Sequence, residues 1–256
     1  MIKRAEVKFR YYKVFKPFGV LSQFTAEGDH PTLASLGKFP RDVYPVGRLD
    51  HDTEGLLLLT NDTRVNHLLL DPKFQHKKTY WAQIEGEMNQ DGIQQLQKGI
   101  LINLKGNLHR TKPALVKRIS SPKIPERNPS VNYIKHPKTS WIELTITEGK
   151  NRQVRKMTAK VGHPTLRLIR YAIEELSLER MKSGEVIELK EEEFYPLLKL
   201  QSFPERSRRS LNPGASFSRP ERRGNATPDS QKPKMDFQSD SPALRKPMRD
   251  KRTRRF

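Results

Sequence analysis

The stretch Tyr44-Pro45-Val46-Gly47-Arg48-Leu49-Asp50-His51-Asp52-Thr53-Glu54-Gly55-Leu56-Leu57-Leu58-Leu59-Thr60-Asn61-Asp62 decides how the chain is read. Four consecutive leucines bounded by turn residues have the length and composition of a strand buried on both faces. Ahead of them stands a Gly-Arg-Leu-Asp corner followed by polar, turn-prone residues. Behind them Asn61-Asp62 precedes an apolar-periodic segment, the pattern of a side-chain cap on a short helix. Asp50 is thereby expected on a loop held between buried elements, where a rigid scaffold displays a reactive side chain. The alternation Asp50-x-Asp52-x-Glu54 could suggest a cation loop, but the later glycine and distal glutamate of the calcium pattern are absent. The reading is therefore no metal, with Asp52 and Glu54 as loop and turn residues.

Working outward, residues 11–16 read as a strand that ends in a Pro17-Phe18-Gly19 turn, with a second extended piece over 19–24. Residues 32–36 suggest a short helix. After the capped helix comes a basic run, and Lys78-Thr79-Tyr80-Trp81 starts a strand on which Tyr80 and Trp81 face opposite ways. Residues 88–99 suggest a helix with Ile93 and Leu96 inward and Gly99 past its end. Residues 110–140 read as strand pieces joined by a long, basic loop over 120–129, which is either functional or unstructured. The clean alternation over 140–147 predicts another strand. Asn151 is expected to cap a helix over 152–161, whose Val154, Met157 and Val161 form a buried stripe. Arg155 lies beside that stripe and needs an acceptor, for which Asp50 is the candidate. Residues 165–171 read as a strand on which Arg167 and Arg170 cannot both line one face, and His163 before Pro164 reads as a turn residue.

Composition bounds the function. The chain of 256 residues carries 49 Lys+Arg against 29 Asp+Glu, a net charge of +20, which favours a polyanionic partner and nucleic acid first. It has no cysteine, which excludes disulfides, thiolate metal sites and a cysteine nucleophile. No apolar segment is long enough to span a bilayer and the N-terminus lacks a signal core, so the composition is that of a cytoplasmic protein. Residues 201–256 hold 15 Lys+Arg against 6 Asp+Glu and 7 of the 19 prolines, without apolar periodicity. They read as a disordered basic tail, either an RNA-binding arm or a solvated end without a dedicated role.

Three motifs in order carry a resemblance to a known family. Gly47-Arg48-Leu49-Asp50 with Thr53-Glu54-Gly55-Leu56-Leu57-Leu58-Leu59-Thr60-Asn61-Asp62, Lys16-Pro17-Phe18-Gly19-Val20, and Glu148-Gly149-Lys150-Asn151-Arg152-Gln153-Val154-Arg155-Lys156-Met157 resemble the RsuA-type pseudouridine synthases. Lys78-Thr79-Tyr80 resembles that family's Lys-x-Tyr motif. The resemblance covers roughly residues 11–190 and departs from the family at Glu174, where a glycine is common. It implies an α+β pseudouridine synthase fold, with a mixed, mostly antiparallel sheet in two subdomains and an RNA cleft between them.

It implies further that Asp50 is the catalytic nucleophile, that Tyr80 lies against the target uracil, and that Arg155 pairs with the catalytic acid. Arg48, Lys16, Lys78, Arg152 and Lys156 become the expected substrate and RNA contacts. No cofactor and no metal are implied. An ionised Asp50 calls for a nearby cation, and Arg48 and a distant arginine are the candidates. The expected organisation is a catalytic domain over 8–199, the tail over 200–256 and no small RNA-binding domain of the S4 type ahead of them. The expected function is isomerisation of a uridine in large-subunit ribosomal RNA by a monomer. The alternatives are a noncatalytic RNA-binding or ribosome-assembly protein on the same fold, or the same chemistry on transfer RNA or small-subunit rRNA.

Overall fold

The structure, a computed structural model, describes residues 8–201, so the tail reading falls outside the described residues from 202 onward. The leucine run is the strand β3 (Glu54–Thr60), and every one of its residues is buried. Its side chains alternate between two cores, as a period of two requires: Leu56 and Leu58 enter one cluster, Leu57 and Leu59 the other. On one side β3 pairs antiparallel with β1 (Tyr11–Lys16), and beyond β1 lies β11 (Val186–Leu189). On the other side β3 meets β9 (Thr165–Ile173) in parallel, over only Glu54↔Ile169 and Gly55↔Arg170. The sheet continues antiparallel through β4 (Lys78–Glu85), β8 (Thr139–Ile146) and β7 (Leu115–Ile119). The short strands β2 (Tyr44–Pro45) and β10 (Leu176–Ser177) add to β3 and β9, and β5 (Leu101–Leu104) with β6 (Asn107–Arg110) forms a separate hairpin.

The fold is therefore α+β with a mixed, mostly antiparallel sheet. Its two halves, β11-β1-β3 and β9-β4-β8-β7, belong to one continuous sheet and meet at the brief β3–β9 seam. Gly55 makes the seam, because its backbone has φ +117° and a Cβ there would strike the Arg170 backbone.

The helices are short and dock on this sheet. They are α1 (Thr63–Leu70), α2 (Gln90–Lys98), α3 (Gln153–Lys160) and α4 (Glu191–Leu197). Asp62 caps α1 by accepting from Arg64 N at 3.2 Å, and also receives the hydroxyls of Tyr11 at 3.1 Å and Tyr195 at 2.7 Å. That one carboxylate ties β1, α1 and α4 together. Among the described residues no helix is long and apolar enough to cross a membrane.

Several expectations are corrected. Residues 19–24 form no strand, only a bridge from Leu21 to Thr32. The cap of α3 is Arg152 in the left-handed region at φ +50°, not Asn151, and it makes no side-chain cap bond. Glu54 is a buried strand residue rather than a turn residue. The 32–36 segment is a 3₁₀ turn over Leu33–Leu36 capped by Thr32. Glu174, at φ +48°, holds the turn that a glycine would suit. Its carboxylate compensates by accepting from Lys77 N at 2.7 Å and meeting His76 Nδ1 at 3.1 Å.

Candidate active-site cleft

The corner between β2 and β3 is pinned before it reaches Asp50. Ser22 Oγ accepts from Leu49 N at 3.1 Å and donates to Leu49 O at 2.8 Å, while Thr53 N closes a turn on Asp50 O at 3.0 Å. Leu49 is buried, and the half-buried Asp50 lines a cleft of about 940 Å³. The cleft floor is Tyr80 and Lys78 from β4, Leu168, Arg170 and Ile173 from β9, and Ile146 from β8. The opposite wall is the turn 148–153 at the start of α3, and Arg48, Arg110, Lys112 and Lys150 add basic side chains to the lining.

Asp50 and Asp52 have different surroundings. Arg152 grips Asp52 bidentately, at 2.9 and 2.8 Å, and reaches Asp50 only at 3.4 Å. Arg155 does not pair with Asp50 as expected. Its guanidinium donates to Asp52 O at 2.7 Å and Thr165 O at 3.1 Å, and stands 3.5 Å from the Asp52 carboxylate. The reason is depth: α3 packs against the start of β9, so the inner arginine meets the loop's backbone and the outer one meets its side chains. Burial works to raise the Asp52 pKa, but the hydrogen bonds from Arg152 and the charges of both arginines outweigh it, leaving the carboxyl below its ordinary value. Burial lowers the Arg155 pKa against the opposing pull of Asp52.

Lys16 is also corrected. It is fully buried, and its ammonium donates to Pro17 O at 2.8 Å and Val20 O at 2.7 Å, with His51 O at 3.5 Å. It braces the 17–20 turn against the Asp50 loop, and so has no free face for RNA. Burial lowers its pKa to about 8. Arg48 is exposed at the cleft but donates to Gln23 Oε1 at 3.0 Å rather than to Asp50. Lys156 is half-buried and lies outside the cleft lining. The alternating acids do not converge as cation ligands: Asp52 faces two arginines, and Glu54 is locked by Arg167 at 2.8 and 2.7 Å.

Tyr80 and Lys78 are where the strand reading puts them. Tyr80 is 9% exposed, and its hydroxyl makes no hydrogen bond among the described residues. Trp81 points to the other face and stacks on Tyr171 with ring centres 3.8 Å apart. Sequence reasoning missed Glu148, which accepts from Lys112 N at 2.8 Å and Gln153 Nε2 at 2.6 Å and meets His109 Nε2 at 3.1 Å. It fastens the turn that carries Arg152 to the β6–β7 connection. Its place at the end of the alternating 140–147 run was the available signal.

This geometry sets an acidic side chain, an aromatic floor and a basic lining in one cleft. The model of the RNA pseudouridylate synthase family matches residues 10–160, which contain Asp50, Tyr80, Arg152 and Arg155. The chain belongs to this family. It is an isomerase that converts uridine to pseudouridine in RNA. It is 49% identical over 173 residues to the ribosomal large subunit pseudouridine synthase E of Xanthomonas campestris pv. campestris, spanning 66% of this chain and 90% of that one. To the protein of the same name from Vibrio parahaemolyticus it is 43% identical over 183 residues, spanning 71% and 75%. A crystal structure of a pseudouridylate synthase superposes with a TM-score of 0.61 at 27% identity, covering 74% of each chain.

Proposed function

We propose that the protein isomerises one uridine of large-subunit ribosomal RNA, with Asp50 as the attacking carboxylate. The observation that carries the assignment is that Asp50 sits on a pinned loop and faces the cleft with one long contact, to Arg152 at 3.4 Å. The neighbouring acids support it by contrast, since Asp52, Glu54 and Glu148 are each held by shorter bonds. Large-subunit rRNA is proposed as the substrate because the relatives at 43–49% identity carry that activity in their names. The basic lining suits an RNA backbone.

The reaction replaces the C1′–N1 bond by a C1′–C5 bond, and N1 ends with the proton that C5 loses. A flipped uridine needs an aromatic or apolar surface for its base, and Tyr80 with Leu168 and Ile173 supplies one. A carboxylate beside it divides the exchange into smaller steps. It can add to C6, attack C1′, or take the C2′ proton, and each route starts from the ionised form. The reading comprises a catalytic domain over 8–199 that needs neither metal nor cofactor, acting as a cytoplasmic monomer through a cleft built from one chain.

The test is a pseudouridine map of total RNA from cells with and without the gene, with rescue by the wild type or Asp50→Asn. One large-subunit position lost, and restored only by the wild type, is the expected result. In vitro, Asp50→Asn should cost at least about 10⁴-fold in turnover while RNA binding stays within about threefold. Full rescue by Asp50→Asn would reject the nucleophile, and a lost position outside the large subunit would reject the substrate.

A further inference from the structure

Two cations on the cleft floor have no acid of their own. Arg170 is 6% exposed, and its Nε donates to Leu56 O at 2.8 Å. Its Nη2 is buried without a hydrogen-bond partner, and no carboxylate pairs with it among the described residues. Lys78, half-buried, donates to His76 O at 3.2 Å, and that bond leaves two ammonium protons free. Burial, and then the like charge of Arg170, lower its pKa, and Glu174 opposes them. Glu174 is itself engaged with Lys77 N, His76 and Lys199.

Register brings these groups around Tyr80. Tyr80 is aligned with Arg170 across β4–β9, and Lys78 is two residues along on the same face. The β4–β9 register shifts between Thr79 and Tyr80. Alternation puts Tyr171 on the Trp81 face, and the shift brings Ile173 into the cleft lining with Arg170. The result is an aromatic residue with one cation opposite it on β9 and another two residues along its own strand, on a floor with apolar Leu168 and Ile173.

Uncompensated like charges at a half-buried place cost free energy unless a ligand brings negative charge to them. An RNA phosphate keeps to solvent, and the exposed Arg110, Lys112 and Lys150 are placed to take it. Arg170 is reached only by a group pushed onto the floor, which is the flipped base. We infer that Lys78 and Arg170 together form a cationic seat for the uracil carbonyl oxygens and stabilise the negative charge that uracil acquires during the reaction.

The inference rests on the proposed function but not on which route Asp50 takes. If Asp50 attacks C1′, a C1′–O bond forms and the C1′–N1 pair leaves with uracil, spread over N1, O2 and O4. If it removes the C2′ proton, that bond's pair becomes C1′=C2′, the proton rests on Asp50, and the same uracil anion departs. If it adds to C6, the C5=C6 pair moves toward C4 and the charge rests on O4. In all three routes the charge is later withdrawn from the ring, as C5 bonds to C1′ and its proton is lost, or as the C6 adduct collapses. Fixed donors aimed at charge that develops only in the reaction accelerate it rather than tighten substrate binding.

The test is single-turnover pseudouridine formation at saturating RNA, using the full chain and an rRNA fragment containing the uridine identified by mapping. Lys78→Met retains the apolar stem and should lower the rate by about 10²-fold or more, with RNA affinity and its salt slope unchanged. Arg170→Lys should recover part of what Arg170→Gln loses; should either fail to fold, Lys78→Met carries the test alone. The same rates are then read on RNA carrying 2-thiouridine or 4-thiouridine at the target. Sulfur holds negative charge on a larger atom, so the ratio of wild type to Lys78→Met should shrink for whichever oxygen the seat contacts. An unchanged rate for Lys78→Met, one ratio on all three RNAs, or a loss confined to affinity with a salt slope lower by about one would overturn the seat. Absence of turnover by the wild type would instead strike the proposed function beneath it.

Discussion

The acids around the Asp50 loop and the cations on the cleft floor are treated in opposite ways. Under the loop, charge is matched: Asp52 is closed by Arg152 and Arg155, and Glu54 by Arg167. On the floor, Lys78 and Arg170 meet only backbone carbonyls. The difference separates two uses of charge. Matched pairs tie the loop's carboxylates to cations, whereas the cations on the floor have no carboxylate in contact and are available to a ligand that brings negative charge. Asp50 stands between the two regimes, with one long contact.

Breaking the matched side should cost most in stability. Glu54 and Arg167 have side chains only 2% and 7% exposed, and Arg167 also donates to Pro125 O at 2.8 Å. Glu54→Gln leaves a buried guanidinium without its counter-charge, and removal of one partner of such a pair costs about 3–5 kcal/mol. Urea unfolding should show that loss, and Glu54→Met with Arg167→Leu should restore most of it. A loss below about 1 kcal/mol would mean that Pro125 and solvent already satisfy Arg167, and the contrast with the floor would weaken.

Lys16 sharpens the comparison because it is a buried cation whose hydrogen bonds go to carbonyls alone, with Glu54, Asp52 and Asp50 attracting it without contact. Its folded pKa of about 8 lies below the ordinary value of 10.5. Between those values the unfolded chain binds more protons than the folded one, so stability rises as pH increases through that window. The unfolding free energy of the wild type minus that of Lys16→Met should climb by on the order of 3 kcal/mol from pH 7.5 to 10.5. A flat difference would show that the carbonyl cage offsets burial, and would then argue that Lys78 and Arg170 need no ligand either.

These features divide sharply by how local their causes are. The β3 strand, the Asp62 cap and α2 were legible because each depends on spacing within a dozen residues. The opposite facing of Tyr80 and Trp81 followed from strand alternation alone. Arg155 was read as inward, correctly, but given Asp50 as its acceptor in place of the backbone of Asp52, because the choice between them depends on how deeply α3 seats against β9. Lys16 looked like a surface residue because nothing in the sequence says that three carbonyls converge on its ammonium. The cap at Arg152 was hidden because a positive φ at a non-glycine residue leaves no signature. That only one of Arg167 and Arg170 lines the cleft was legible; which one depends on the register of β9 against its neighbours.

The smallest expected effect belongs to Tyr80, and it tests whether the floor works by charge or by proton transfer. It shares the cleft lining with Lys78 and Arg170, and its hydroxyl makes no hydrogen bond among the described residues. Phenylalanine keeps the ring and removes only the hydroxyl. If the two cations carry the charge on uracil, the hydroxyl contributes at most one neutral hydrogen bond, about 1 kcal/mol, and Tyr80→Phe should slow the saturating rate by less than about tenfold. If the hydroxyl moves a proton in the reaction, the loss should be about 10²–10⁴-fold and should vary with pH as an acid–base group would. Tyr80→Leu controls for stacking, since it retains an apolar face but no ring and should weaken binding of the flipped base by about 1–3 kcal/mol. A large loss in Tyr80→Phe beside a small one in Lys78→Met would reverse the assignment, with the aromatic acting as the acid–base group and the cations as packing. The opposite pattern would leave the floor as the place where charge without a protein partner is completed by the substrate.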